Sequence, residues 1–310
     1  MTGQSEKILV IKHGAFGDIV QADGVLRDIR AFHPDANITL LTTPPFRKLM
    51  NRCPHIDQVL TDPRAPIWKI GEWIRLARTF SLAHYTKIYD LQNSERTTLY
   101  RKLFFRHVRW CGSKTGIRQP SALLGLSLQL QAEGIPTEHS LAPDVSWMAE
   151  DMTAFLHHEG VQTPYVALIP GCSARHPQKR WPYYAQLASA LLERGYDVVT
   201  APGPDEIELA KAIPGHTLLG PNGFLDWFEL AGILKTASFV VGNDTGPSHV
   251  ASCLGRPGLA LFGPHATAAR AGIYRGDFRA IEVPDLAGLS PETVLAEVLK
   301  GLPPPNQNSV

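Results

Sequence analysis

The chain has 310 residues with 30 Lys and Arg against 29 Asp and Glu, a formal net charge of +1, so nothing global recommends a nucleic-acid partner and any basic site must be local. Cys53, Cys111, Cys172 and Cys253 lie far apart without a Cys-x-x-Cys pair, which argues against a disulfide scaffold and a structural zinc site and implies a reducing, cytoplasmic compartment. No apolar run approaches the ~20 residues of a spanning helix, and the length suits two domains, each with its own core.

The first element is an apolar run, "KILVIK", leading through "HGAFGD" into a helix. Strand, Gly-containing loop and helix in this order cradle a phosphate in many α/β proteins. Asp18, however, stands where that anion would sit, so the acid is either a helix cap or has another task. The runs "NITLL", "DQVL", "KIYDL" and "HVRW" follow, with amphipathic stretches between them. A second set, "YVALI", "YDVVT", "HTLL", "SFVVG" and "GLALF", repeats the order. Short β-branched runs alternating with helices predict parallel sheets covered on both faces, and hence two doubly wound domains, 1–147 and 148–310. The segment Met148 to His158 reads as a helix closed by Gly160. Residues 184–194 and 225–237 carry leucine and phenylalanine stripes at helical spacing that belong to a core.

Three junctions of the second half carry chemistry. In "VVGNDTGPSHVASCLG" (240–255) a strand turns at Gly242 and Asn243; Asp244 or Thr245 can cap a helix, and Pro247 suits its first turn. The amides from about Gly246 to His249, with the hydroxyls of Thr245 and Ser248, would form a site for a diphosphate. In "LIPGCSARHPQKRWPYY" the basic pair Lys179 and Arg180 precedes Trp181 and Pro182 at a helix start, where Lys179 could meet the same anion. In "TAPGPDEIELAKAI" Asp205 and Glu206 open a helix, either as dipole partners or as ribose-binding acids.

These stretches, together with "GAFGD", "DLQNSERT" (90–97), "PGPDE" and above all "GNDTGPSHVASCLGRPGLALFGP", resemble glycosyltransferase family 9, the lipopolysaccharide heptosyltransferases and their relatives. The resemblance implies a GT-B architecture, two Rossmann-like domains facing across a cleft, with acceptor in the first domain and nucleotide-sugar donor in the second. It implies inverting transfer from a donor such as ADP-heptose to a glycolipid or other glycan, with no cofactor and no metal. By position, Asp18 becomes the catalytic base, with Lys12, Gly14 and Gly17 in the acceptor-side loop. Lys179 becomes the cation that stabilises the leaving phosphate. Gly171, Ser173, Glu206 (rather than Asp205), Asp244, Thr245, Gly246, Pro247, Ser248 and His249 complete the donor site. Two departures stand out: His13, Gly14 and Ala15 where the family usually carries Ser or Thr, and the irregular end loop "HATAARAGIYRG" after Pro264.

A nicotinamide-dependent dehydrogenase would require G-x-G-x-x-G after the first strand, which "HGAFGD" is not. A GT-B sugar-nucleotide epimerase and a catalytically silent nucleotide-sugar-binding homologue remain as alternatives. A peripheral contact with the inner face of the membrane is a further expectation. The segment "PPFRKLMNRCP" (44–54) mixes Phe46, Leu49 and Met50 with Arg47, Lys48 and Arg52, either as a membrane-facing surface or as a solvated helix with a buried apolar edge.

Overall fold

A computed structural model describes residues 5–112 and 120–305. The chain divides into two compact units, Met1–Pro143 and Asp144–Val310, four residues upstream of the division expected between 147 and 148. Each unit is built on one fully parallel sheet.

The first unit contains β1 (Lys7–Ile11), β2 (Asn37–Thr42), β3 (Gln58–Thr61), β4 (Lys87–Asp90) and β5 (Arg109–Gly112), in the order β3-β2-β1-β4-β5. Ile8 to Ile11 are entirely buried because helices cover both faces of the sheet, and for that reason the strand reads as a continuous apolar run rather than an alternation. On one side Leu9, Ile11, Leu41 and Ile88 pack against Trp73, Leu76, Phe80 and Tyr100. Trp73, Leu76 and Phe80 form the inward stripe of the helix Ile70–Ala83, spaced three and four residues apart.

The second unit contains β6 (Tyr165–Ile169), β7 (Asp197–Thr200), β8 (His216–Thr217), β9 (Phe239–Asn243), β10 (Gly258–Phe262) and β11 (Phe278–Glu282). Their order, β11-β10-β9-β6-β7-β8, is the Rossmann order. Among the described residues, ten of the eleven strands coincide with runs visible in the sequence. The additional one, β11, lies at the sheet edge, and of its residues only Phe278 is buried, so it presents no apolar run. The helix expected over 148–158 is confined to Thr153–His158, preceded by a short 3-10 turn at Ser146–Met148. The reason is local. Asp144 Oδ1 accepts from the Ser146 amide at 2.9 Å, and Asp151 Oδ1 from the Thr153 amide at 3.0 Å, so two side-chain turns replace the helical ladder.

In both units the order reverses between the first and fourth strands, between β1 and β4 and between β6 and β9. Ligands of open α/β sheets bind at such switch points, at the carboxyl ends of the strands. The singled-out motifs "HGAFGD", "DLQNSERT", "PGCSARHPQKRWP" and "NDTGPSH" follow β1, β4, β6 and β9 respectively.

Candidate active site

At the switch point of the first unit, Asp18 is the third residue of the helix Phe16–Gln21. Its Oδ2 accepts the Ala15 amide at 3.0 Å, so one carboxylate oxygen steadies the turn that precedes the helix. Gly14 has φ +137°, and a Cβ there would lie 2.8 Å from the Phe46 ring, which leaves room only for glycine. Gly17 lies within the first turn of the helix. Lys12 is buried, and its Nζ donates to the Leu91 carbonyl at 3.4 Å. Burial pushes its ammonium down from the ordinary lysine value, against the opposing pull of the Asp18 and Asp90 carboxylates.

The "DLQNSERT" stretch supports this loop residue by residue. Asp90 Oδ1 accepts the Gln92 and Asn93 amides, Gln92 Oε1 accepts the His13 amide at 2.9 Å, and Ser94 caps the helix Glu95–Leu103. Arg96 reaches across to Asp62 with a two-pronged contact, Nε to Oδ2 at 2.7 Å and Nη2 to Oδ1 at 2.9 Å, and the Tyr100 hydroxyl also donates to Asp62. His13 Nε2 is buried without a hydrogen-bond partner, 3.9 Å from Asp62 Oδ2. Burial pushes the His13 imidazole down to about 4, with Asp62 opposing and Arg64, Arg96 and Lys12 adding to the shift. A neutral His13 therefore stands behind the Asp18 loop.

In the segment 44–54, read either as membrane-facing or as a solvated helix with a buried apolar edge, Arg47, Lys48, Asn51 and Arg52 are exposed while the apolar edge turns inward. Phe46 stacks on Phe16 with ring centroids 6.3 Å apart, and Leu49 and Met50 are buried. Of the two readings of that segment, the buried apolar edge is the one the structure has.

In the second unit the loops after β6 and β9 are tied together by Asn243, which is wholly buried. Its amide donates to the carbonyls of Pro170 at 2.9 Å and Gly171 at 3.1 Å, and its Oδ1 accepts from the Trp181 amide at 3.0 Å and the Tyr184 hydroxyl at 3.1 Å. Trp181 is anchored by its indole N–H on the Leu289 carbonyl. These bonds place Lys179 beside Asp244: Nζ lies 2.6 Å from Oδ2 and 3.2 Å from the Asp244 carbonyl. Arg180, its neighbour, is exposed, so the basic pair divides into one site residue and one solvated residue.

Thr245 is the N-cap of the helix Gly246–Cys253, and Pro247 lies in its first turn. The expected donor set narrows here. Pro247 has no N–H, and the His249 amide already donates to the Thr245 carbonyl at 3.3 Å, which leaves the Gly246 and Ser248 amides in this turn. The Ser248 hydroxyl is fully buried and donates to the Asn243 carbonyl at 2.7 Å, so it braces the turn rather than offering itself outward. The Thr245 hydroxyl is buried without a partner. A buried hydroxyl left unsatisfied costs free energy that a ligand accepting its hydrogen bond would recover.

Asp244 also receives His265 Nε2 on Oδ2 at 3.1 Å, with His249 Nε2 3.6 Å from Oδ1. Burial alone would push this carboxyl up; bonds from His249 and Lys179, and the Lys179 charge, hold it well below the ordinary aspartate range. Glu206, not Asp205, turns toward the strand ends. Its Oε2 accepts the Gly203 amide at 3.2 Å, and a Cβ on Gly171 would fall 1.9 Å from its Oε1, so Gly171 is what admits the carboxylate. Asp205 and Ser173 are exposed. Among the described residues, no group of three or more His, Cys, Asp or Glu side chains is arranged to hold a metal ion.

The model of glycosyltransferase family 9 (heptosyltransferase) matches residues 114–275, a little over half of the chain. The chain belongs to glycosyltransferase family 9. It is 25% identical over 293 residues to lipopolysaccharide heptosyltransferase 2 of Escherichia coli K12, covering 83% of each chain. Two solved structures share its fold: E. coli ADP-heptose heptosyltransferase II (TM-score 0.72, 23% identity, 95% of this chain and 98% of that one) and E. coli heptosyltransferase WaaC with ADP-2-deoxy-2-fluoro heptose (TM-score 0.69, 17% identity, 95% and 99%). The fold is thus GT-B, with two parallel-sheet α/β units.

Two features of this family 9 chain escaped the sequence reading. His265 opens the irregular end loop and shares Asp244 Oδ2 with Lys179; nothing local in "PHATAA" points across to residue 244. The Asp62–Arg96 pair joins the end of β3 to the first turn of the helix Glu95–Leu103, 34 residues apart in sequence.

Proposed function

We propose that this glycosyltransferase moves a heptose from ADP-heptose to a lipopolysaccharide-core acceptor, with inversion and without a metal ion. The observation that carries the reading is the Lys179–Asp244 pair at the amino end of the helix Gly246–Cys253, beside a Thr245 hydroxyl that has no partner. A lysine and a helix amino end are a sufficient donor set for a diphosphate. Glu206, seated over Gly171, supplies the acid for the ribose hydroxyls. The names of the relatives favour heptose and a lipopolysaccharide acceptor.

In the step itself an acceptor hydroxyl attacks the anomeric carbon from the face opposite the diphosphate. The new C–O bond forms as the bond to the diphosphate breaks, and Asp18 takes the hydroxyl proton. Ala15 holds one Asp18 oxygen, so the other is the proton acceptor. The nucleoside diphosphate departs with the bonding pair, and Lys179 with the Gly246 and Ser248 amides stabilises its growing charge.

The test is a panel of nucleotide sugars scored by thermal shift, followed by transfer to a heptose-deficient core acceptor in EDTA. ADP-heptose should raise the melting point above other nucleotide sugars by mass action, and transfer should survive chelation. The absence of any shift, or activity abolished by EDTA and restored by magnesium or manganese, would contradict the proposal.

A further inference from the structure

The exposed apolar surface of the first unit is concentrated where β3 ends. Ile67 is 67% exposed, Trp68 79%, Ile70 66% and Ile74 48%. Ile70 and Ile74 stand one turn apart on an exposed face of the helix Ile70–Ala83, flanking the buried Trp73, Leu76 and Phe80 stripe, and Ile67 and Trp68 shortly precede that helix. Single exposed apolar residues need no explanation, but four within eight positions form a patch that a chain facing only water does not keep without a use.

The charges around it have one sign. Arg64, Lys69, Arg75 and Arg78 are exposed, and the only acid among residues 64–78 is Glu72, already paired with Arg75 at 2.7 Å. The loop carrying the patch is also held firmly. The Arg64 amide donates to Asp62 at 2.8 Å, Arg96 Nη1 to the Ala65 carbonyl at 2.8 Å, and the Trp73 indole to the Pro66 carbonyl at 3.3 Å. Ile67 and Trp68 are thus presented outward from a fixed base. Because β1, β2 and β3 are parallel, this loop and the Asp18 loop leave the same end of the sheet, and both lean on Asp62, the second through His13.

We propose that Ile67, Trp68, Ile70 and Ile74, with Arg64, Lys69 and Arg78, form a docking surface for an anionic lipid bilayer. It rests on the reading that the acceptor is a glycolipid, whose reactive hydroxyl must be met at the membrane surface. An interfacial tryptophan, flanking isoleucines and uncompensated basic residues are the chemistry that recognises an anionic headgroup layer with acyl chains beneath it. The apolar residues enter the interface while Arg64, Lys69 and Arg78 meet the phosphates.

The experiment uses the full chain with vesicles of phosphatidylethanolamine and phosphatidylglycerol, in a second set with brominated acyl chains. Of the six tryptophans, Trp68 alone is largely exposed, so quenching of its fluorescence reports the patch. Wild type should bind the anionic vesicles at low salt and be quenched by the brominated chains, whereas Trp68→Phe should lose that quenching. The double variant Trp68→Ser/Ile70→Ser should bind at least about tenfold more weakly, and each of Lys69→Ala and Arg78→Ala about fivefold. Thermal unfolding of all four, and sugar transfer to a water-soluble core oligosaccharide, should match wild type. Equal vesicle binding by wild type and the double variant would overturn the proposal. So would self-association of the wild type that the double variant abolishes, which would assign the patch to a second copy of the chain. Wild type that transfers sugar to the soluble acceptor but ignores vesicles sinks the docking surface and spares the proposed reaction. Vesicle binding through Trp68 with no transfer to any acceptor supports the surface and sinks the reaction.

Discussion

Replacing Asp244 by alanine strands a cation within the second unit. The carboxylate is only 9% exposed and holds Lys179 Nζ at 2.6 Å and His265 Nε2 at 3.1 Å. Breaking a fully buried ion pair costs about 3–5 kcal/mol because the surviving charge is left unsolvated. Lys179 keeps 23% of its side chain in water and can turn toward it, so the expected cost of Asp244→Ala falls below that range, at about 2 kcal/mol. For a unit of this size that corresponds to a drop in Tm of roughly 4–8 °C, readable by calorimetry at neutral pH. The pH dependence gives a second handle. Asp244 is held below the ordinary aspartate value of 3.8, so its contribution is complete above that value and is lost as the pH falls further toward its folded value. The gap between wild type and Asp244→Ala should therefore narrow below pH 3.8. A variant within about 0.5 kcal/mol of wild type at neutral pH, the scatter of an ordinary surface substitution, would refute the reasoning, as would a gap that does not change with acid.

Three further outcomes follow from the site geometry. Lys179→Ala should weaken ADP-heptose binding by about 1.5–3 kcal/mol, the range for hydrogen bonds to charged groups, while Arg180→Ala should leave it nearly unchanged; titration calorimetry separates them. Glu206→Gln should weaken the same binding by a similar amount through the ribose, and Asp205→Asn should stay within about 0.5 kcal/mol. In the first unit His13 is pushed down to about 4 from an ordinary 6.5, so the unfolded chain binds its proton first and stability falls as the pH drops from 6.5 toward 4. His13→Asn should flatten that part of the Tm-against-pH curve, and an unchanged curve would remove His13 from the acid sensitivity.

The central parallel strands were legible because burial on both faces forces continuous apolar runs, whereas in β11 only Phe278 is buried and Arg279 and Glu282 break the apolar pattern. The switch-point loops were legible for a similar reason: glycine, proline and capping residues announce where a strand hands over to a helix. The limits of the helix Thr153–His158 were written in Asp144-x-Ser146 and Asp151-x-Thr153, whose side-chain turns compete with the helix, but the apolar Trp147 and Met148 obscured them. Partnerships between distant loops left no local trace. Asn243 reads as a turn residue yet braces two loops, Ser248 reads as a ligand hydroxyl yet serves its own turn, and His265 and Arg96 declare their partners only once the sheet is assembled. The exposed row at 67–74 was passed over in favour of 44–54. Both segments mix apolar and basic residues, and only packing reveals which apolar side chains are already in use.

Asp18→Asn puts the central claim to its most direct test. Asparagine keeps the size of the side chain and an oxygen for the Ala15 amide, so the turn and the helix Phe16–Gln21 should survive, but it cannot accept a proton. Single-turnover transfer from ADP-heptose should slow by about 10²–10⁴ while donor binding, measured beside it, stays at the wild-type value. Wild-type turnover in Asp18→Asn would reduce Asp18 to a helix cap and contradict its role as the base.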